Sequence, residues 1–222
     1  LNCESLQDAN PCCECVSCKE IGEGINPNVI EIDAASNNGV DEIREIREKA
    51  KFLPAGSKYK VYIIDEVHML STSAFNALLK ILEEPPKHVV FILATTEQHK
   101  VLPTILSRCQ RYDFKPFTQE DIEKTIVRAC ENENIQITEA ALHAISSASE
   151  GGMRDAYSIL DQAIALSEGN INEEDVFNVT GALGPKKVLE LVKALENKDI
   201  SSSLNIVNDL LDYGKEVNKI VI

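Results

Sequence analysis

No apolar run in this sequence of 222 residues approaches the about 18 that a membrane-spanning helix needs, and no secretory leader pattern is present. Basic residues are scarce: 22 Lys and Arg stand against 36 Asp and Glu, a net charge of −14. That balance excludes a sequence-wide basic surface able to grip nucleic acid by bulk charge. Also absent is any G-x-x-x-x-G-K-[ST] run. No loop within these residues therefore cradles nucleotide phosphates with backbone N–H groups and a lysine. Leu1 is not an initiator methionine, and residues 219–222 stop inside an apolar run. The chain is expected to be an internal piece of a longer protein.

What is present describes an ordinary globular chain. Hydrophobic residues make up 44% and charged residues 26%, and the length allows one large domain or two smaller ones. The charge is uneven. Residues 1–118 carry 13 basic and 17 acidic side chains, whereas residues 119–222 carry 9 and 19. Nucleic-acid contact therefore belongs, if anywhere, to the first half. Five of the seven cysteines fall within the first 18 residues. Disulfides that staple a secreted fold are spread through it. A cluster at one end reads instead as metal binding in a reducing compartment.

After the cysteines, short β-rich runs alternate with helical patterns. Residues 29–34, 61–64 and 89–94 read as strands, and the unalternated run at 61–64 fits a strand covered on both faces. Residues 41–52 space Ile43, Ile46 and Ala50 on one helical face, and residues 73–84 do the same with Phe75, Leu78, Leu79 and Leu82. Pro103 opens a short helix, and residues 110–114 read as a last strand. The rhythm predicts an open, mostly parallel α/β sheet. From Thr118 onward the strand signal disappears. Thr118 and Thr138 are expected N-caps, a third helix runs through Leu166, and residues 172–179 make a fourth. Residues 181–185 read as a hinge before a helical pair at 186–195 and 200–211. The expected domains are an α/β core at 1–117 with a zinc module at 3–18, a small helical domain at 118–179, and the beginning of another at 180–222.

Two motifs carry chemistry. With Cys13 set aside, Cys3, Cys12, Cys15 and Cys18 form C-x8-C-x2-C-x2-C. Two-residue spacers let a tight turn present neighbouring thiolates, and four thiolates close a tetrahedral zinc site, which makes its role structural. Iron–sulfur ligation shares the C-x2-C-x2-C spacing and is the alternative. The second motif is the apolar strand 61–64 ending in Asp65 and Glu66. Such a strand delivers both acids to its C-terminal edge, where open α/β sheets bind ligands. There Asp65 would hold Mg²⁺ and Glu66 would polarise an attacking water.

The stretches Ile64-Asp65-Glu66-Val67-His68-Met69-Leu70, Leu79-Lys80-Ile81-Leu82-Glu83-Glu84-Pro85-Pro86, Leu93-Ala94-Thr95-Thr96 and Leu106-Ser107-Arg108-Cys109 occur in one order after the cysteine segment. In combination they resemble the γ/τ family of bacterial DNA polymerase III clamp-loader subunits, which are AAA+ ATPases. The resemblance covers essentially the whole chain. It implies a partial AAA+ parallel-sheet core with an inserted zinc module, a helical lid and the start of a helical collar. Asp65 and Glu66 look like Walker B, and Thr95 or Thr96 like sensor 1. Arg108 looks like the arginine that reaches into a neighbouring subunit's ATP site, and Arg154 like sensor 2. Cys3, Cys12, Cys15 and Cys18 match the zinc ligands; Cys13 departs from the pattern and leaves the choice between Cys12 and Cys13 open.

The resemblance further implies ATP and Mg²⁺ for the full-length protein, a cytoplasmic location, and a ring of clamp-loader subunits that places a sliding clamp on primed DNA. In this family the phosphate-binding loop precedes the zinc segment, so the 222 residues alone are expected to bind ATP very weakly and not to hydrolyse it. With the collar only begun, they are expected to be monomeric or weakly associating. Arg44, Arg47 and Lys51 recur at helical spacing and would track a phosphate backbone, or else form a solvated face neutralised by Glu42, Glu45 and Glu48. His68 reads as a packing or hydrogen-bonding residue, and Cys109 and Cys130 as apolar packing. Two other functions remain: another AAA+ DNA machine, such as a branch-migration helicase, and a zinc-containing interaction module without ATPase activity. The cysteine segment argues against the first, since it lies outside the generic AAA+ core.

Overall fold

The computed structural model describes residues 1–167, 169–181 and 185–212. It divides into two compact units, residues 1–112 and 113–222, each with its own core. In the first unit the order is α1 (Val16–Gly22), β1 (Val29–Asp33), α2 (Val40–Lys49), β2 (Lys60–Asp65), α3 (Thr72–Glu83), β3 (Val89–Leu93) and α4 (Pro103–Leu106). The three strands form a parallel sheet in the order β1-β2-β3.

β2 is central, so both its edges are paired. Val61, Tyr62 and Ile64 are buried, as an unalternated apolar run requires. Tyr62 lies opposite Phe91 of β3, the rings stacked with centroids 5.4 Å apart. α2 turns Ile43 and Ile46 inward, and α3 turns Ala74, Phe75, Leu78 and Ile81 onto the same core. Ser71 caps α3 by accepting from the Ala74 N–H at 3.2 Å. The cysteine segment is tied to the sheet through Asn2, whose amide donates to the Tyr59 carbonyl and accepts from the Tyr59 N–H, both at 2.9 Å.

In the second unit the helices are α5 (Gln119–Glu133), α6 (Glu139–Ala148), α7 (Met153–Leu166) and α8 (Glu173–Thr180), followed by α9 (Pro185–Glu196) and α10 (Ile200–Asp212). Thr118 and Thr138 cap α5 and α6 with their hydroxyls, and Asn172 with Asp175 completes a capping box on α8. Ile122, Ile126, Ile145, Leu160 and Val176 form the core. Part of the hinge read at 181–185 and the last residues of the expected collar lie outside the described residues.

Two expectations are corrected. Residues 110–114 form no strand and join neither described sheet; Tyr112 and Phe114 are 70% and 96% exposed, so the segment lacks the cover that would hold a strand. The second half is not purely helical. β4 (Gln136–Ile137) and β5 (Asn170–Ile171) pair in parallel, and their two-residue length gave no alternating signal.

Candidate functional site

The C-terminal ends of parallel strands all point the same way, so their terminal side chains gather on one edge. Asp33 lies opposite Asp65 in the β1–β2 register, and the Ala94 N–H donates to the Ile64 carbonyl to bring the end of β3 alongside. Asp65 is exposed there and accepts the Glu66 N–H on Oδ1 at 2.9 Å. Asp33 accepts from the Ser36 hydroxyl and, more weakly, the Ala35 N–H, which hold its carboxyl below the usual carboxylate range.

Glu66 adopts a left-handed conformation with φ 47° and ψ 44°. For a residue with a Cβ this costs about 1–2 kcal/mol, a local strain that the surrounding bonds must hold. Val67 is buried and its N–H donates to the Ala94 carbonyl at 2.9 Å, pinning the chain just beyond the kink. The Glu66 carboxylate reaches the end of β3, where the Thr96 hydroxyl donates to Oε2 at 3.2 Å and the Thr96 N–H approaches the same oxygen at 3.4 Å. Thr95, by contrast, meets His68 Nδ1 through its hydroxyl at 2.8 Å and accepts the Glu97 N–H at 3.0 Å. The His68 side chain is 6% exposed, so the hydrogen-bonding reading fits it.

Sequence reasoning passed over Glu97. Its carboxylate contacts His68 Nε2 at 3.2 Å and Lys100 Nζ at 2.6 Å, and the Lys100 ammonium holds it below the usual carboxylate range. Its only signal was position, directly after the two threonines that end β3.

Arg108 stands at the exposed end of α4. Its guanidinium donates to the Thr104 carbonyl at 2.7 Å and pairs with Glu83 at 3.2 Å, within its own chain. Arg154 lies in the first turn of α7, in the second unit. Arg44 pairs with Asp41 at 2.8 Å and Lys51 with Glu48 at 2.6 Å, so the basic stripe on and just after α2 is partly neutralised by exposed local pairs.

The sulfur atoms of Cys3, Cys12, Cys15 and Cys18 all lie within 4.8 Å of one another. Four thiolates around zinc, with Zn–S near 2.3 Å, stand about 3.8 Å apart, so donor set and spacing fit that ion. The Cys12 N–H donates to Cys3 Sγ at 3.3 Å and the Cys15 N–H to Cys12 Sγ at 3.4 Å. The first of these donors lowers the Cys3 thiol's pKa, while proton sharing with Cys15 pushes Cys18 up to about 12. Cys13 has φ 58° and its exposed thiol faces the Pro11 carbonyl at 3.7 Å, outside the group of four. Cys109 and Cys130 pack among apolar side chains, and burial pushes both thiols up.

Comparison with known proteins bears on this arrangement. A family model described as "DNA polymerase III, delta subunit" matches residues 1–118, and one described as "DNA polymerase III clamp loader subunit, ATPase lid domain" matches residues 121–169. The DNA polymerase III subunit tau of Bacillus subtilis is 53% identical over 221 residues, covering 100% of this chain and 39% of that one. Subunit gamma of Buchnera aphidicola is 40% identical over 222 residues, with 62% of its length covered. Subunit tau of Escherichia coli is 41% identical over 216 residues, 97% of this chain and 34% of that one. The chain thus spans less than two thirds of each of these relatives. Among solved structures, the RuvB Holliday junction branch migration motor of Thermotoga maritima aligns with a TM-score of 0.57 at 19% identity, covering 81% of this chain and 63% of that one. At that identity the likeness speaks for an AAA+-like fold alone.

Proposed function

The chain belongs to the gamma/tau family of DNA polymerase III clamp-loader subunits, and from that premise we propose that it supplies the hydrolytic edge, the lid and the cysteine module of a clamp-loader ATPase. In the full-length protein, ATP binding and hydrolysis at subunit interfaces would drive a ring of such subunits to place a sliding clamp on primed DNA in the cytoplasm. The observation that carries this reading is the meeting of Glu66 with Thr96, 3.2 Å apart at the C-terminal edge of a parallel sheet.

Each residue has a role that its position supports. Asp65, exposed beside Glu66, would hold Mg²⁺, and bound ATP would supply the phosphoryl group to be transferred. Glu66 orients and polarises the water. Thr96, whose hydroxyl already faces Glu66, is the better choice for sensor 1; Thr95 is engaged by His68. Arg108, exposed at its helix end, would serve a neighbouring subunit's site in trans, and Arg154 would contact nucleotide from the lid. Cys3, Cys12, Cys15 and Cys18 would hold a structural zinc, and Cys13 would not. The exposed basic residues of α2 would add a phosphate-backbone contact in the assembled ring.

The test is reconstitution of the full-length subunit with its partner subunits, clamp and primed DNA. Glu66→Gln should abolish DNA-stimulated ATP hydrolysis while leaving nucleotide binding intact. An undiminished rate would overturn the assignment. A general AAA+ motor of the branch-migration type shares the fold, and the four-cysteine cluster argues against it.

A further inference from the structure

The geometry points to His68 as the positioning residue that holds the Glu66 carboxylate where it can polarise the attacking water. This rests on the reading of Glu66 as the water-polarising group. The left-handed kink at Glu66 reverses the chain, and the short 3-10 turn Val67–Met69 that follows carries the His68 ring back over the preceding carboxylate. Nδ1 lies 3.2 Å from Glu66 Oε2 and Nε2 lies 3.2 Å from Glu97 Oε2. The ring thus has a carboxylate oxygen 3.2 Å from each nitrogen, while the hydrogen bond at Nδ1 is made with the Thr95 hydroxyl at 2.8 Å. With 6% of its side chain exposed, it is walled off from water that would compete for those contacts.

The two oxygens of Glu66 are treated differently. Oε2 receives the Thr96 hydroxyl and the Thr96 N–H and lies 3.2 Å from His68 Nδ1, whereas Oε1 has only a 3.5 Å approach from Thr96 Oγ1. One oxygen is anchored and the other is left for a water. A carboxylate on a flexible side chain that samples several rotamers loses reactive geometry, and misplacement by about 1 Å costs on the order of 100-fold in rate. His68 is itself held from behind. Thr95 fixes Nδ1 laterally at 2.8 Å, and Glu97 fixes Nε2 while being tethered by Lys100. The series Lys100, Glu97, His68, Glu66 therefore links the segment after β3 to the acid after β2.

The experiment uses the full-length subunit in its assembled, DNA-stimulated form and measures kcat and KM for ATP. His68→Ala should lower kcat by about 10- to 100-fold with KM within about twofold, because orientation and not nucleotide affinity is lost. Asn places an amide N–H close to the Nδ1 position and Gln places one close to Nε2. His68→Asn should therefore recover kcat to within about threefold of the parent, whereas His68→Gln, which addresses Glu97, should remain low. An unchanged or raised kcat for His68→Ala overturns the inference, as does His68→Asn performing no better than His68→Gln. Should His68→Ala fail to fold, the comparison of Asn with Gln decides. If Glu66→Gln abolishes hydrolysis and His68→Ala does not affect it, this inference alone fails; if Glu66→Gln is fully active, the proposed function fails first.

Discussion

The guanidinium of Arg108 rests on the carboxylate of Glu83, Nη2 to Oε1 at 3.2 Å, while Nη1 donates to the Thr104 carbonyl oxygen at 2.7 Å. The role proposed for Arg108 at a neighbour's site requires the side chain to be extended and exposed before that neighbour arrives. Glu83, at the end of α3, offers a shallow rest that supplies orientation without deep burial.

From this contact a separation of stability and activity follows. An exposed pair of this kind contributes at most about 1 kcal/mol to folding. Arg108→Ala should leave the melting temperature nearly unchanged and lower ATP hydrolysis in the assembled ring by about 10³-fold, the scale of an arginine acting in trans. Arg108→Lys should recover little, since an ammonium lacks the planar fork. A ring whose ATPase ignores both substitutions would remove Arg108 from the site.

The cysteine cluster predicts a metal count. Cys13→Ser should retain one zinc per chain, whereas Cys12→Ser should lose it. Structural zinc of this type contributes on the order of 10–16 kcal/mol of apparent binding free energy. Its removal by a chelator should open residues 1–25 to protease. Metal analysis and limited proteolysis on reduced protein read both effects. Zinc lost from Cys13→Ser and kept by Cys12→Ser would reverse the ligand assignment.

Tyr62 predicts a gain in stability. Its hydroxyl is buried in the sheet with no hydrogen-bond partner among the described residues, an arrangement that costs about 1–3 kcal/mol. Tyr62→Phe should keep the stacking on Phe91 and stabilise the protein by about 1 kcal/mol in denaturant titration. Burial also raises the Tyr62 phenol above its ordinary value of 10.0. A raised folded-state value means that the neutral form's contribution is complete below about pH 10 and is lost as the pH climbs through the folded value. Alkaline destabilisation should therefore be weaker in the variant, and identical pH profiles would contradict this account.

Gly151 predicts a loss. Its φ is +85°, and a Cβ there would meet Pro116 Cβ at 2.5 Å and the Phe117 carbonyl at 3.1 Å. The Phe117 N–H donates to the Gly151 carbonyl at 3.0 Å, so the two segments cannot simply separate. Gly151→Ala should destabilise the second unit by about 1–3 kcal/mol, visible as a lowered unfolding midpoint. A stabilised variant would show that this segment relaxes freely.

The sequence by itself determined the elements that depend on local pattern. The 3.6-residue spacing of Ile43 and Ile46 set α2, the hydroxyls of Thr118 and Thr138 set helix starts, and the apolar run through Ile64 set a strand with two acids at its end. Cysteine spacing likewise announced a four-thiolate cluster. Only the tertiary structure decided what depended on partners distant in the chain. Residues 110–114 had strand composition and no ladder to join, while β4 and β5 were too short to announce their pairing. Thr95 and Thr96 are chemically identical, and only the placement of β3 beside β2 turned Thr96 to Glu66 and Thr95 to His68. Neighbouring side chains at a strand end face different surroundings, and those surroundings come from other strands, which no local pattern encodes.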